Sequence, residues 1–163
     1  MLSEPQAWQV LEGVPDPEIP VVSVVELGIV REIACGDDGL RVVVTPTYSG
    51  CPATEVIAES IRAALAAAGA GQVDIETRLD PAWTSDWIGE AAREKLRAYG
   101  IAPPSGTAAV GGAQPIRFVA KSQTCPHCGS TDTERLSEFG STACKALYRC
   151  RACREPFEYF KPI

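Results

Sequence analysis

Two C-x-x-C pairs constrain this chain more than any other feature. Cys125-Pro126-His127-Cys128 and Cys150-Arg151-Ala152-Cys153 are separated by 21 residues. Each pair presents two thiols at a turn, and two such knuckles close a tetrahedral all-sulfur shell around a soft cation. The spacing lies one residue beyond the usual zinc window, and loop length varies at little entropic cost. Zn2+ is favoured over a single iron ion or an iron–sulfur cluster, although the spacing leaves the iron options open. Four thiolate ligands leave no open coordination position, so the site indicates structure, not activity.

The chain has 163 residues and seven cysteines, an odd number. Met1-Leu2-Ser3-Glu4-Pro5 offers neither a basic n-region nor an apolar h-region, so no secretory signal is expected. The expected compartment is therefore reducing and cytoplasmic, where metal binding or a working thiol replaces a disulfide framework. No apolar run approaches the ~18 residues of a membrane span. Residues 1–102 carry a net charge of −9 and residues 103–163 one of +3. An acidic body repels nucleic acid backbones, which counts against the nucleic-acid binding common among zinc ribbons. The aromatic residues Tyr148, Phe157, Tyr159 and Phe160 are expected to build the ribbon's small core or a protein-docking face.

The length suits one domain of about 100 residues plus a small stapled module. Ser3-Glu4-Pro5-Gln6 reads as a capped helix start, with Gly13 as its stop. Val14 to Pro20 holds three prolines and is expected to be extended and non-helical, and Ser23 to Glu26 to cap a short turn before Gly28. Residues 28–35 and 40–47 read as strands joined by Gly36-Asp37-Asp38-Gly39. A four-residue loop pairs Cys35 with Leu40, Ile33 with Val42 and Arg31 with Val44, placing Ile29, Ile33, Cys35, Leu40, Val42 and Val44 on a core face.

Residues 52–68 carry an apolar stripe at helical spacing (Ala53, Val56, Ile57, Ile61, Ala64, Leu65, Ala68), with Pro52 at the first helical position. Val73, Ile75, Thr77 and Leu79 alternate as a third strand, giving a strand–helix–strand unit with a right-handed crossover. A last helix, capped by Thr84 or Ser85, is expected to bury Ile88, Ala92, Leu96 and Tyr99 before Gly100 stops it. The fold class is thus α+β: a small mixed three-stranded sheet with helices over residues 1–102, a linker over 103–119, and a four-cysteine zinc ribbon over 120–163.

Cys51 follows Gly50 at the carboxyl end of the second strand and precedes the central helix. Open α/β sheets place ligands at this end, and the helix dipole favours a thiolate there. The dipole is worth about 0.3–1 kcal/mol, and Glu55 opposes it, so Cys51 alone is not a strongly activated nucleophile. The alternative role is a poor cap. Asp16 and Glu18, on the proline-rich loop, are candidate neighbours of this thiol. His127 sits inside a knuckle at a non-ligand position. Cys144, about 20 Å from Cys150 if residues 144–150 form a strand, cannot share the metal. A thiol oxidoreductase would need a resolving cysteine near Cys51 in sequence, and none is present.

Asp16-Pro17-Glu18-Ile19-Pro20, Leu27-Gly28-Ile29-Val30 and Thr47-Tyr48-Ser49-Gly50-Cys51-Pro52-Ala53 together resemble the SufT-like family of iron–sulfur assembly proteins. Trp87-Ile88, Tyr99-Gly100-Ile101-Ala102-Pro103-Pro104, Phe139-Gly140-Ser141-Thr142-Ala143-Cys144-Lys145 and both knuckles resemble the PaaD (PaaJ)-like accessory subunits of the phenylacetyl-CoA epoxidase system. The resemblance covers nearly the whole chain. It implies a non-catalytic accessory or maturation subunit in phenylacetate catabolism, serving a di-iron ring oxygenase fed by a flavin and iron–sulfur reductase. It further implies iron–sulfur or metal-centre assembly in a partner through Cys51, with Asp16 and Glu18 in the family's Asp-Pro-Glu loop, and a transient iron or iron–sulfur cargo. The client it points to is the iron–sulfur flavin reductase. Cys125, Cys128, Cys150 and Cys153 match the family's structural zinc positions. The competing reading is a non-catalytic scaffold that stabilises the oxygenase complex without handling iron.

Overall fold

The computed structural model describes residues 2–105 and 122–163. These form two compact units. The first comprises residues up to Trp83 together with Trp87–Ala92, and the second comprises Thr84–Asp86 together with residues from Arg93 onward.

In the first unit, α1 (Glu4–Glu12) starts where expected: Gln6 Oε1 accepts the Ser3 N–H at 3.0 Å and its hydroxyl at 2.7 Å. Ala7 and Leu11 form its buried face. The proline-rich loop that follows is non-helical and folds back on itself, with Asp16 N–H donating to Val22 O and Val24 N–H to Val14 O. Ser23 and Glu26 then exchange reciprocal side-chain to backbone hydrogen bonds of 2.9 and 3.1 Å, the box anticipated before Gly28.

β1 (Val30–Cys35) runs antiparallel to β2 (Gly39–Val44), and β3 (Gln72–Thr77) lies parallel to β2 on its other edge. α2 (Thr54–Ala67) supplies the crossover between the parallel strands. Cys35 faces Leu40 and Ile33 faces Val42, as the loop length dictates. Arg31 departs from that register. The pairing shifts between Val30 and Glu32, so Val30 and not Arg31 stands opposite Val44. The Arg31 guanidinium lies 3.6 Å from the centre of the Trp87 ring, a cation–π contact that alternation along the strand cannot anticipate. Cys35 is exposed rather than on the core face, because it ends β1 at the hairpin mouth.

Gly39 is required where β2 meets β3: a Cβ there would lie 2.0 Å from Gln72 O. α2 begins two residues later than expected, with Pro52 outside it. The Thr54 N–H and hydroxyl both donate to Cys51 O, at 3.3 and 2.9 Å, so the chain turns once before the helix starts. Ile57, Ala58, Ile61 and Leu65 are its buried face, whereas Val56 is exposed. Val73 and Ile75 of β3 are half-buried, and Thr77 and Leu79 beyond them are exposed.

The second unit is a four-stranded sheet in the order β4-β7-β6-β5. β5 (Thr133–Ser137), β6 (Lys145–Cys150) and β7 (Pro156–Phe160) are antiparallel, and β4 (Ile101–Ala102) joins β7 in parallel. α3 (Glu90–Tyr99) ends at Gly100, whose φ of 92° turns the chain directly into β4. Ala92 and Leu96 of α3 are buried as expected, whereas Tyr99 is exposed. The domain end expected at residue 102 therefore does not coincide with the structural division, since β4 belongs to the ribbon's sheet. The first residues of the expected linker are also tied into this unit. Arg93 Nη1 donates to Pro104 O at 2.7 Å, and the Ser105 hydroxyl lies 2.9 Å from the Tyr159 hydroxyl. Residues 106–119 of that linker lie outside the described residues.

Tyr148 stacks on Phe157 and meets Tyr159 edge-on, each with ring centres 5.7 Å apart. These rings pack with Ala102, Ala146, Cys125 and Cys150 as one buried cluster, and Cys153 packs against it. The expected aromatic core of the ribbon is thus present, and the knuckle sulfurs form part of it. Lys145 is almost wholly buried and pairs with Glu158 at 2.8 Å. Burial opposes ionisation of Glu158, but Lys145 and the Ser141 N–H, 2.7 Å from Oε1, hold its carboxyl below the usual range.

Candidate metal centre and thiol sites

The two knuckles meet because β6 ends in Cys150 and the turn before β5 carries Cys125 and Cys128, so antiparallel pairing of β5 and β6 brings both to one end of the sheet. The ligand atoms of Cys125, Cys128, Cys150 and Cys153 all lie within 4.8 Å of one another. Cys125 and Cys153 Sγ are 3.8 Å apart, and Cys128 and Cys150 Sγ 3.6 Å apart. Sulfurs at about 2.3 Å from a tetrahedral Zn2+ stand about 3.8 Å apart along each edge, so the residues present fit that ion.

Each knuckle needs a left-handed residue after its second cysteine. Gly129 supplies it in the first with φ 76°, and Arg154 in the second with φ 67°. Comparing Cys128-Gly129 with Cys153-Arg154 would have exposed this shared requirement in the sequence.

Backbone donors and burial divide the four thiols. The Cys153 N–H, against burial and helped by the Ala152 N–H, brings Cys150 down to about 7. Burial raises Cys125, despite N–H groups from Cys128 and His127. The Glu155 N–H favours the Cys153 thiolate, yet burial and three neighbouring thiols push it up to about 12. Four sulfurs this close do not all ionise alone near neutrality, and a divalent cation at their centre supplies the missing positive charge.

His127 is exposed and stands outside the quartet, with its ring against the α-carbon side of Gly100. Cys144 is buried just before β6, at the end of that strand opposite Cys150, 3.0 Å from the Thr142 hydroxyl. It contributes nothing to the quartet.

In the first unit, Cys51 is half-buried on the loop between β2 and α2, with its N–H donating to Tyr48 O at 3.2 Å. Asp16 is buried, and its Oδ1 accepts the Glu18 and Ile19 N–H groups at 2.9 and 2.8 Å. That carboxylate therefore holds the turn of the proline-rich loop. Glu18 is exposed. Among the described residues, Cys51, Asp16 and Glu18 do not converge into a second group of metal-ligating side chains.

Residues 114–161 match the PaaD zinc beta ribbon domain, and residues 4–77 match the iron–sulfur cluster assembly protein family. The chain is 50% identical over 159 residues, 97% of its length and 92% of the relative's, to a putative 1,2-phenylacetyl-CoA epoxidase subunit of the PaaD type from Escherichia coli (strain K12). The chain belongs to the PaaD family. PaaD-type ribbons account for its quartet, and the family's assembly domain accounts for the sheet that carries Cys51. A second relative, an Fe-S protein maturation auxiliary factor of Porphyromonas gingivalis, is 34% identical over 58% of this chain and 90% of its own. The crystal structure of a domain of unknown function, DUF59, from Bacillus anthracis shares the fold of the first unit. It has a TM-score of 0.54 at 24% identity, covering 57% of this chain and 90% of that one. Among the described residues, no helix is long and apolar enough to cross a membrane.

Proposed function

We propose that this PaaD-family chain is a cytoplasmic, non-catalytic maturation subunit of a phenylacetyl-CoA epoxidase system. In this reading Cys51 transiently holds iron or an iron–sulfur cluster on its way to the iron–sulfur flavin reductase, and the zinc ribbon recognises that client. One observation carries the reading. A half-exposed thiol stands where a strand passes into the central helix of an assembly-type sheet, apart from a closed sulfur quartet that has no free ligand position. A strand-to-helix junction leaves such a thiol reachable by a partner, and a coordinatively saturated quartet leaves transfer to some other ligand. A lone thiol cannot hold a cluster by itself, so the client or a second chain supplies the remaining ligands. Asp16 supports the site indirectly by fixing the loop that precedes β1, and Glu18 is the loop carboxylate left toward solvent.

The test is cluster transfer from protein incubated with iron and sulfide to the apo-reductase, comparing wild type with Cys51→Ser. Loss of transfer in the variant supports the carrier role, and equal transfer by both forms removes Cys51 from the mechanism.

A second reading, a scaffold that stabilises the oxygenase complex without touching iron, draws on the engagement of Asp16 with its own loop and the lack of convergence around Cys51. Full epoxidase activity of Cys51→Ser in cells, together with co-purification of the oxygenase, would favour it.

A further inference from the structure

The four ligand cysteines are not equally reachable. Cys128 is exposed, Cys153 is half-buried, and Cys125 and Cys150 are buried, the latter completely. The two close sulfur pairs also run between the knuckles: Cys128 with Cys150 at 3.6 Å, and Cys125 with Cys153 at 3.8 Å. We propose that the ribbon is a peroxide-sensitive fastener, in which oxidation enters at Cys128 and closes a cross-knuckle Cys128–Cys150 disulfide that expels the zinc.

The steps balance with a hydroperoxide as oxidant. The Cys128 thiolate attacks the outer peroxide oxygen, the O–O bond breaks, and a sulfenic acid forms as hydroxide (or alkoxide) leaves. The Cys150 sulfur then attacks the Cys128 sulfur. The S–O bond breaks, the S–S bond forms, and the oxygen departs as water with one proton. Two electrons have passed from the two thiols to one peroxide. Zinc keeps only Cys125 and Cys153 and is lost. A second equivalent of peroxide closes that remaining pair.

Exposure selects the first sulfur, since the oxidant must reach it and the buried ligands are shielded by the Tyr148, Phe157 and Tyr159 cluster. Proximity selects the second. Spacing alone would favour closure within each C-x-x-C pair, so the cross-knuckle connectivity is a discriminating outcome. The consequence reaches beyond the metal. Cys125 and Cys150 are packed into the aromatic core, so moving either sulfur loosens the whole second unit while the first keeps its own core.

The experiment uses the zinc-loaded full chain carrying Cys35→Ser and Cys51→Ser, which removes the two accessible thiols outside the quartet. Hydrogen peroxide is added at one equivalent. Zinc release is followed with a chromophoric chelator, and disulfides are mapped by mass spectrometry after non-reducing digestion. The expected result is one zinc released per disulfide, with the Cys128–Cys150 peptide about tenfold more abundant than Cys125–Cys128 or Cys150–Cys153. Thiol reductant with added zinc restores the starting species. Predominant closure within either knuckle, zinc retained through the first equivalent, or Cys144 oxidised before Cys128 would each overturn the proposal.

Discussion

Replacing Glu158 by glutamine isolates what the buried ion pair contributes to the ribbon. The amide keeps the side chain's shape and can still accept the Ser141 N–H now held at 2.7 Å. It removes the negative charge from a position 2.8 Å from Lys145 Nζ, and the Lys145 side chain is only 3% exposed. An ammonium left without its counter-charge at such a site costs about 3–5 kcal/mol. Deprotonation offers an escape: holding a lysine neutral at pH 7 costs 1.36 kcal/mol for each unit between pH 7 and its ordinary value near 10.4, or about 4.6 kcal/mol. Both routes place the loss between about 3 and 5 kcal/mol. With a urea m-value of about 1 kcal/mol/M for so small a unit, the midpoint should fall by several molar, or the ribbon should not fold at all. Tyrosine dichroism reads the second unit, which holds Tyr148 and Tyr159, while fluorescence of Trp8 and Trp83 reads the first. The double variant Lys145→Met with Glu158→Gln should recover most of the loss, because apolar replacement of a whole buried pair is close to neutral. A loss below about 1 kcal/mol for Glu158→Gln, or no recovery in the double variant, would refute the assignment of this pair as a buried, mutually dependent unit.

The same carboxyl sets an acid limit. Its pKa is lowered in the folded state, so its contribution is complete above the ordinary carboxylate value and is lost as pH falls through the depressed one. Urea midpoints of the second unit should therefore drop below pH ~4.5, and Glu158→Gln should flatten that drop. Chelating the zinc should unfold the second unit, including β4, while tryptophan fluorescence of the first unit stays unchanged; simultaneous loss of both would show one cooperative body. Gly39→Ala should destabilise the first unit by more than about 2 kcal/mol, because its Cβ would meet Gln72 O at 2.0 Å and force β2 from β3; a thermal midpoint within a degree of wild type would contradict this. Asp16→Ala should cost about 1–3 kcal/mol through two lost loop hydrogen bonds, and Asp16→Asn less, whether or not iron is present.

What the sequence makes legible follows from how local each determinant is. The quartet is readable because ligand spacing within a knuckle is fixed by one turn, and only the loop between knuckles is free. The β1–β2 register is readable from Cys35 to Glu32 because a short loop sets it, and it fails at Arg31, whose partner Trp87 is distant in sequence. Helical periodicity finds α2 and α3 but places Val56 and Tyr99 inside, since an apolar stripe does not reveal how wide a face its neighbours cover. Ile101 and Ala102 read as a helix-stop signal, and their parallel pairing with Glu158 and Tyr159 depends on a strand more than fifty positions away. Around Cys51, the local signal gives the position of the thiol. The role of Asp16 as a loop fastener lies in backbone donors that no residue pattern displays.

The packing of Cys125 and Cys150 into the same cluster as Tyr148 and Phe157 has a cellular consequence. A copy made when zinc is scarce is left with one finished half and one molten half. The ion's availability thereby meters how many newly synthesised molecules can ever engage a client through the ribbon.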